Sequence, residues 1–324
     1  MKTLIATFLC LLAANSPCAA EDRLVIGAES GKGLTIVDPT DGNRVLWHWD
    51  RKGPVHDLQL LKNRRLLTHA GSWHRLVEID IPTQEVVWEY DAAKQNRDGD
   101  YRGKVEVHAF ERLADGNTMI AESGPGRIIE VDRAGDLVKV VSLDVLKSSV
   151  HSDTRLVRKL DNGHYLVAHE RDGRVKEYDA EGAVVWDYEV PLFGRRPSGG
   201  HGPESWGGKC FSATKNEAGN YLIATGNGHS VLEVTPAKEI VWHLAQHDLP
   251  GITLAWTTNV HQLPNGNLII GNCHAGPENP QLVEVTRDKE VVWQFKDFKN
   301  FGNGLANTLV LDGEDANALR RLID

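Results

Sequence analysis

A small set of proton-transferring and charged side chains sits at two recurrent positions around short turns. His56, His108 and Arg155 each precede a turn by the same distance, and His69, Glu122, His169, Thr225 and Asn272 follow the corresponding turns. Neutral imidazole serves as base, nucleophile or metal ligand near physiological pH. A guanidinium presents a planar fork to sulfate, phosphate or carboxylate. His56, His108, His169 and Arg155 are therefore candidate catalytic residues. Candidate ligand-binding residues are His69, Glu122, His151, His201, Asn272 and Arg195, with His229 and His274 in adjoining loops.

The elements that must position them are repeats. RVLWHW, EVVWEY, AVVWDY, EIVWHL and EVVWQF place Trp47, Trp88, Trp186, Trp242 and Trp293 at one position, and Lys139 in DLVKVV takes the sixth. An acid-containing extended segment precedes each, such as LVEIDIPTQ or IIEVDRAGD, and a hairpin such as RKLDNGHYLVA precedes most of those. Asp115-Gly116, Asn162-Gly163 and Asn265-Gly266 supply turn residues tolerant of positive φ. The unit is thus four strands, A to D, and six units fill the chain.

The first unit, LVIGAES, begins with strand B, and NTLVLDGE near the C-terminus reads as an A strand lacking its B to D. One completes the other. The expected fold is all-β: a six-bladed β-propeller over residues 21–316, closed by a C-terminal strand in the first blade, with 317–324 as a short surface helix or tail. In an antiparallel blade the start of A and the end of B share one end. The candidate residues therefore gather at one mouth of the central channel.

Two top-face loops adjoin that mouth. LFGRRPSGGHGPESWGGK, residues 192–209, reads either as a lid carrying Arg195, His201 and Trp206 or as a glycine-rich connection. DAAKQNRDGDYRGK, residues 91–104, reads as solvated. The strand-D tryptophans are expected to pack between blades. His164 lies in an A–B turn on the opposite face, and His48 and His243 on strand D, where structural or surface roles are expected.

The NG turns, acid-containing third strand and VVW fourth strand resemble the PQQ-like propeller repeat. The hairpins VHDLQLLKN and VHAFERLADG also resemble those of bacterial arylsulfotransferases, six-bladed propellers whose channel histidines and arginine carry sulfuryl transfer through a histidine adduct. That resemblance implies nucleophile or acid–base roles for His56, His108 and His169, and a sulfate clamp at Arg155. It does not imply PQQ itself, because the adjacent cysteine pair of the quinoprotein dehydrogenases has no counterpart.

Residues 1–20, MKTLIATFLCLLAANSPCAA, read as a secretory signal peptide cut after Ala20, implying a periplasmic or extracellular protein without a membrane span. Cys10 and Cys18 belong to that segment. Cys210 and Cys273, expected on neighbouring blades at the same face, are open to a disulfide. A net charge of −9 argues against nucleic acid as a partner. Three functions fit these residues: binding of a small molecule, glycan or protein at the mouth; transfer or hydrolysis of an anionic ester; and metal-dependent lyase or oxidoreductase chemistry with Glu122 and imidazoles as ligands. No HExxH or CxxC motif marks a metal site, but a propeller assembles ligands from separate blades.

Overall fold

A computed structural model describes residues 22–29, 31–50 and 53–323. The expected signal peptide lies outside the described residues. The chain forms six four-stranded antiparallel sheets in a ring. Blade 1 combines Thr308–Leu311 with Leu24–Glu29, Gly33–Asp38 and Arg44–Trp49. Blades 2 to 6 follow in sequence, with inner strands Leu58–Leu60, Glu106–Arg112, Val157–Lys159, Ser212–Lys215 and Thr257–Gln262. Their outer strands are Val86–Asp91, Leu137–Ser142, Val184–Glu189, Ile240–Leu244 and Val291–Phe295.

The closure is as the sequence predicts: Leu24 pairs with Leu311, Val25 with Val310, Ile26 with Leu309 and Gly27 with Thr308. The A–B turns use glycine as expected, with Gly116, Gly163 and Gly266 at φ of 93°, 84° and 87°, a region costly for a side chain with a Cβ. No helix among the described residues is long and apolar enough to cross a membrane. The C-terminal helix, Gly313–Ile323, starts before the expected tail and buries Ala316 and Leu319 against the blade 1 and 2 core.

Each strand-D tryptophan joins its blade to the next. Trp47, Trp88, Trp186 and Trp242 donate their indole N–H groups to the carbonyls of Ile81, Arg133, Pro236 and Arg287. The buried acid of strand C lies directly opposite in register, as in Glu78–Trp88, Glu177–Trp186 and Glu233–Trp242. A register shift follows each of these acids.

The disulfide expectation is corrected: Cys210 and Cys273 are buried free thiols. Cys210 packs in the blade 4–5 core, and Cys273 in a separate cluster with Phe211, Trp256 and Ala306. Although the blades adjoin, the two thiols enter different cores.

Candidate functional site

His56, His108, Arg155, Phe211 and Thr258 each stand at the same offset from the backbone bond that closes their blade's A–B turn, at Leu61, Leu113, Leu160, Asn216 and Leu263. The repeat thereby sets a ring of unlike side chains at the top of the channel. Blade 3 departs from regular pairing: the register shifts between Val107 and Ala109, leaving His108 as an extra residue in the strand. Such a bulge re-aims a side chain.

His56 Nδ1 lies 3.0 Å from His108 Nδ1. Trp73, on the blade 2 B–C loop, packs against both, with ring centroids 4.3 Å from His56 and 4.8 Å from His108. His151 closes the group, 5.0 Å from the His108 ring and 5.4 Å from Trp73. Its Nδ1 lies 2.7 Å from Glu106 Oε2, and the same oxygen is 3.2 Å from His108 Nε2. Burial holds His56 and His108 well below the ordinary imidazole range, and the Arg155 charge acts in the same direction, followed by neighbouring imidazoles.

Arg155 is buried, pairs through Nε with Glu170 Oε2 and donates from a terminal nitrogen to the His151 carbonyl. Burial lowers its pKa, against the opposing pull of Glu170. Lys209 Nζ approaches Glu170 from the other side at 3.7 Å. Above them is a cavity of about 360 Å³ lined by residues including His56, His151, Arg155, Glu170, Lys209 and Trp256. A larger cavity of about 810 Å³ lies beside it, bounded by Trp73, His74, Arg97, Lys104 and Glu106.

The remaining candidates divide between roof and scaffold. His201 lies over the cavity, its ring 4.7 Å from Trp256 and 5.2 Å from His274. The segment carrying it is pinned: Ser198 and Trp206 exchange backbone bonds, Trp206 donates to the Leu192 carbonyl, and the Arg195 guanidinium stacks 3.6 Å from the Trp206 ring. His274 lines the cavity at φ 60°, a conformation that non-glycine residues rarely hold.

His169 is buried away from the cavity, with Nδ1 donating to the Asp153 carbonyl and Nε2 accepting from the Tyr178 hydroxyl. His69 is also buried and donates from Nε2 to the Val107 carbonyl. Glu122 pairs with Arg127, Thr225 with Ser230, and His229 donates to the Ser205 carbonyl. Asn272 bonds the Ala255 amide and the Thr253 and Pro280 carbonyls. These six hold loops in place.

Sequence reasoning missed Trp73, Glu106, Glu170, Trp256 and Asp57. Asp57, next to His56, accepts both terminal nitrogens of Arg158 at 2.8 Å, Asn307 Nδ2 at 3.0 Å and the amides of Leu58 and Phe110. It spans the channel below the mouth. Adjacency to His56 in an A-strand start was the available signal.

No protein-family model matches the chain, and no curated protein matches it. Solved structures do resemble it. A Bacteroides caccae protein of unknown function aligns over 90% of this chain and 99% of its own at 21% identity, with a TM-score of 0.72. A catalytically inactive histidine-to-alanine virginiamycin B lyase from Staphylococcus aureus, solved with quinupristin, aligns over 88% of each chain at 10% identity and TM-score 0.55. A chain of a nidogen–laminin complex aligns over 89% of this chain and 98% of its own at 10% identity and TM-score 0.57. At these identities the likeness is one of fold: the chain shares the β-propeller architecture of these proteins.

Proposed function

We propose that this is an exported propeller that binds a small anionic molecule at the channel mouth. The observation that carries the reading is the pairing of Arg155 and Lys209 around a single carboxylate, Glu170, on the wall of the 360 Å³ cavity. Among the residues lining that cavity, two cations face one carboxylate, in a chain of net charge −9. Phe211 and Trp256 add apolar and aromatic surface, and the volume suits a small ligand better than a glycan chain or protein. The segment 1–20 supports export.

Calorimetric titration with 4-nitrophenyl sulfate and 4-nitrophenyl phosphate, against uncharged 4-nitrophenol, tests this. The anions are expected to bind and the phenol not. Lys209→Ala and Arg155→Met should each weaken binding by about tenfold or more, the loss of one charge-assisted contact, while His164→Ala on the opposite face leaves it unchanged. Undiminished affinity in both mouth variants would refute the assignment.

A second reading, transfer or hydrolysis of an aryl sulfate or phosphate, is favoured by the 3.0 Å contact between His56 and His108, both held neutral. One imidazole there can accept a proton while its neighbour attacks or orients. A histidine-to-alanine form of the structurally similar lyase is catalytically inactive, which gives a propeller precedent for a histidine that matters to catalysis. Release of 4-nitrophenol from the same probes separates turnover from binding.

A further inference from the structure

We infer that Glu106, His108 and His151 form a binding site for a first-row divalent transition metal such as Zn²⁺. Their ligand atoms all lie within 4.8 Å of one another. The site joins two elements: Glu106 and His108 come from the bulged inner strand of blade 3, and His151 from the loop leading into blade 4.

A second observation points to a missing ligand. His108 is fully buried, yet its Nε2 has no hydrogen-bond partner. It faces Glu106 Oε2 at 3.2 Å without the alignment of a hydrogen bond. A buried polar atom left so is costly, and a cation between the nitrogen and the carboxylate would satisfy both. The other ring nitrogen supports this role. For Nε2 to bind metal, Nδ1 must carry the proton, and its partner at 3.0 Å is His56 Nδ1, which then accepts. His56 becomes the residue that fixes the His108 tautomer, as metal-bound imidazoles require.

Two nitrogens and one carboxylate oxygen suit a borderline ion such as Zn²⁺ better than Mg²⁺ or Ca²⁺, which prefer all-oxygen sets. Three protein ligands leave a coordination position open. Glu106 borders the larger cavity and His151 the smaller, so an ion held here stands at the divide between them. The inference goes beyond anion binding, and the two readings fail separately.

The test uses the mature protein without a histidine tag. After loading with Zn²⁺ and dialysis, elemental analysis should give one ion per chain, and Co²⁺ should produce visible absorption bands. His151 is exposed, so His151→Ala should fold normally and weaken metal affinity by about 100-fold; Glu106→Gln should do likewise, and His56→Phe by about 10- to 100-fold. His201→Ala should retain the ion. Zn²⁺ below one-tenth of an equivalent in the wild type would overturn the site, as would wild-type affinity in His151→Ala or equal loss in His201→Ala.

Discussion

At the scale of single residues, His169 shows what an imidazole does when the fold uses both its nitrogens. Burial dominates its environment and moves its pKa from 6.5 to about 4, the Asp153 carbonyl opposing and Lys176 reinforcing. Asp172 and Asp144 pull upward more weakly, and Tyr178 and Cys210 complete the surroundings. Between pH 6.5 and 4 the unfolded imidazole is protonated and the folded one is not. Unfolding then takes up a proton, so this residue costs stability progressively as pH falls through that window and nothing above it. His169→Gln, which preserves hydrogen-bonding capacity, should show a shallower loss of stability between pH 7 and 5, with little change in slope above pH 7. Urea unfolding at several pH values checks this, and an unaltered slope would exclude His169 as a source. The repeat placed His69 and His169 at the correct end of their blades but could not say that both turn into the protein. Which way a strand-end side chain points depends on local register, and only the bulge beside His108 turns that imidazole towards His56 and Glu106.

At the scale of the element, the blade interface explains the recurrent acid and tryptophan together. Glu78 is almost wholly buried and accepts from Arg65 and Arg112 at 3.2 Å and from Arg133 of the next blade. Arg112 and Arg133 also stand over Trp88, 4.6 and 5.9 Å from its centroid. Glu284 meets Arg23 in the same way, with Arg23 4.4 Å over Trp293. Where the sixth tryptophan is replaced, Lys139 lies 5.5 Å over Tyr165, whose hydroxyl reaches Glu130. Removing Glu78 would leave the largely covered Arg112 without its carboxylate. Glu78→Ala should therefore cost about 3–5 kcal/mol, whereas Glu89→Ala, at a pair partly exposed on both sides with Arg75, should cost about 1 kcal/mol or less. Equal losses in denaturant unfolding would contradict the interface account. Strand order and tryptophan packing were legible because period and turn chemistry repeat. The buried carboxylate clasp was not, since an acid in an amphipathic strand reads as solvated until the next blade covers it.

For the whole molecule, stability depends on closing the ring, and the closing strand does more than cover an edge. Leu24, Val25 and Ile26 are fully buried and would become an unpaired apolar edge without Thr308–Leu311. Asn307, immediately before that strand, bonds Asp57, whose carboxylate also holds Arg158 of blade 4 and the Phe110 amide of blade 3. Closure is thus tied into the channel floor beneath the candidate site. The final helix contributes differently: Ala316 and Leu319 pack on the core, and Arg320 pairs with Asp38, but no ladder hydrogen bond depends on it. Removing residues 313–324 should lower the melting temperature while leaving a folded protein, because a buried leucine is worth about 1.5–3 kcal/mol. Removing residues 305–324 should unfold or aggregate the chain. Circular dichroism melting and size-exclusion chromatography of the two truncations distinguish these outcomes, and an unchanged melting temperature after the longer deletion would show that the ring holds without its closing strand.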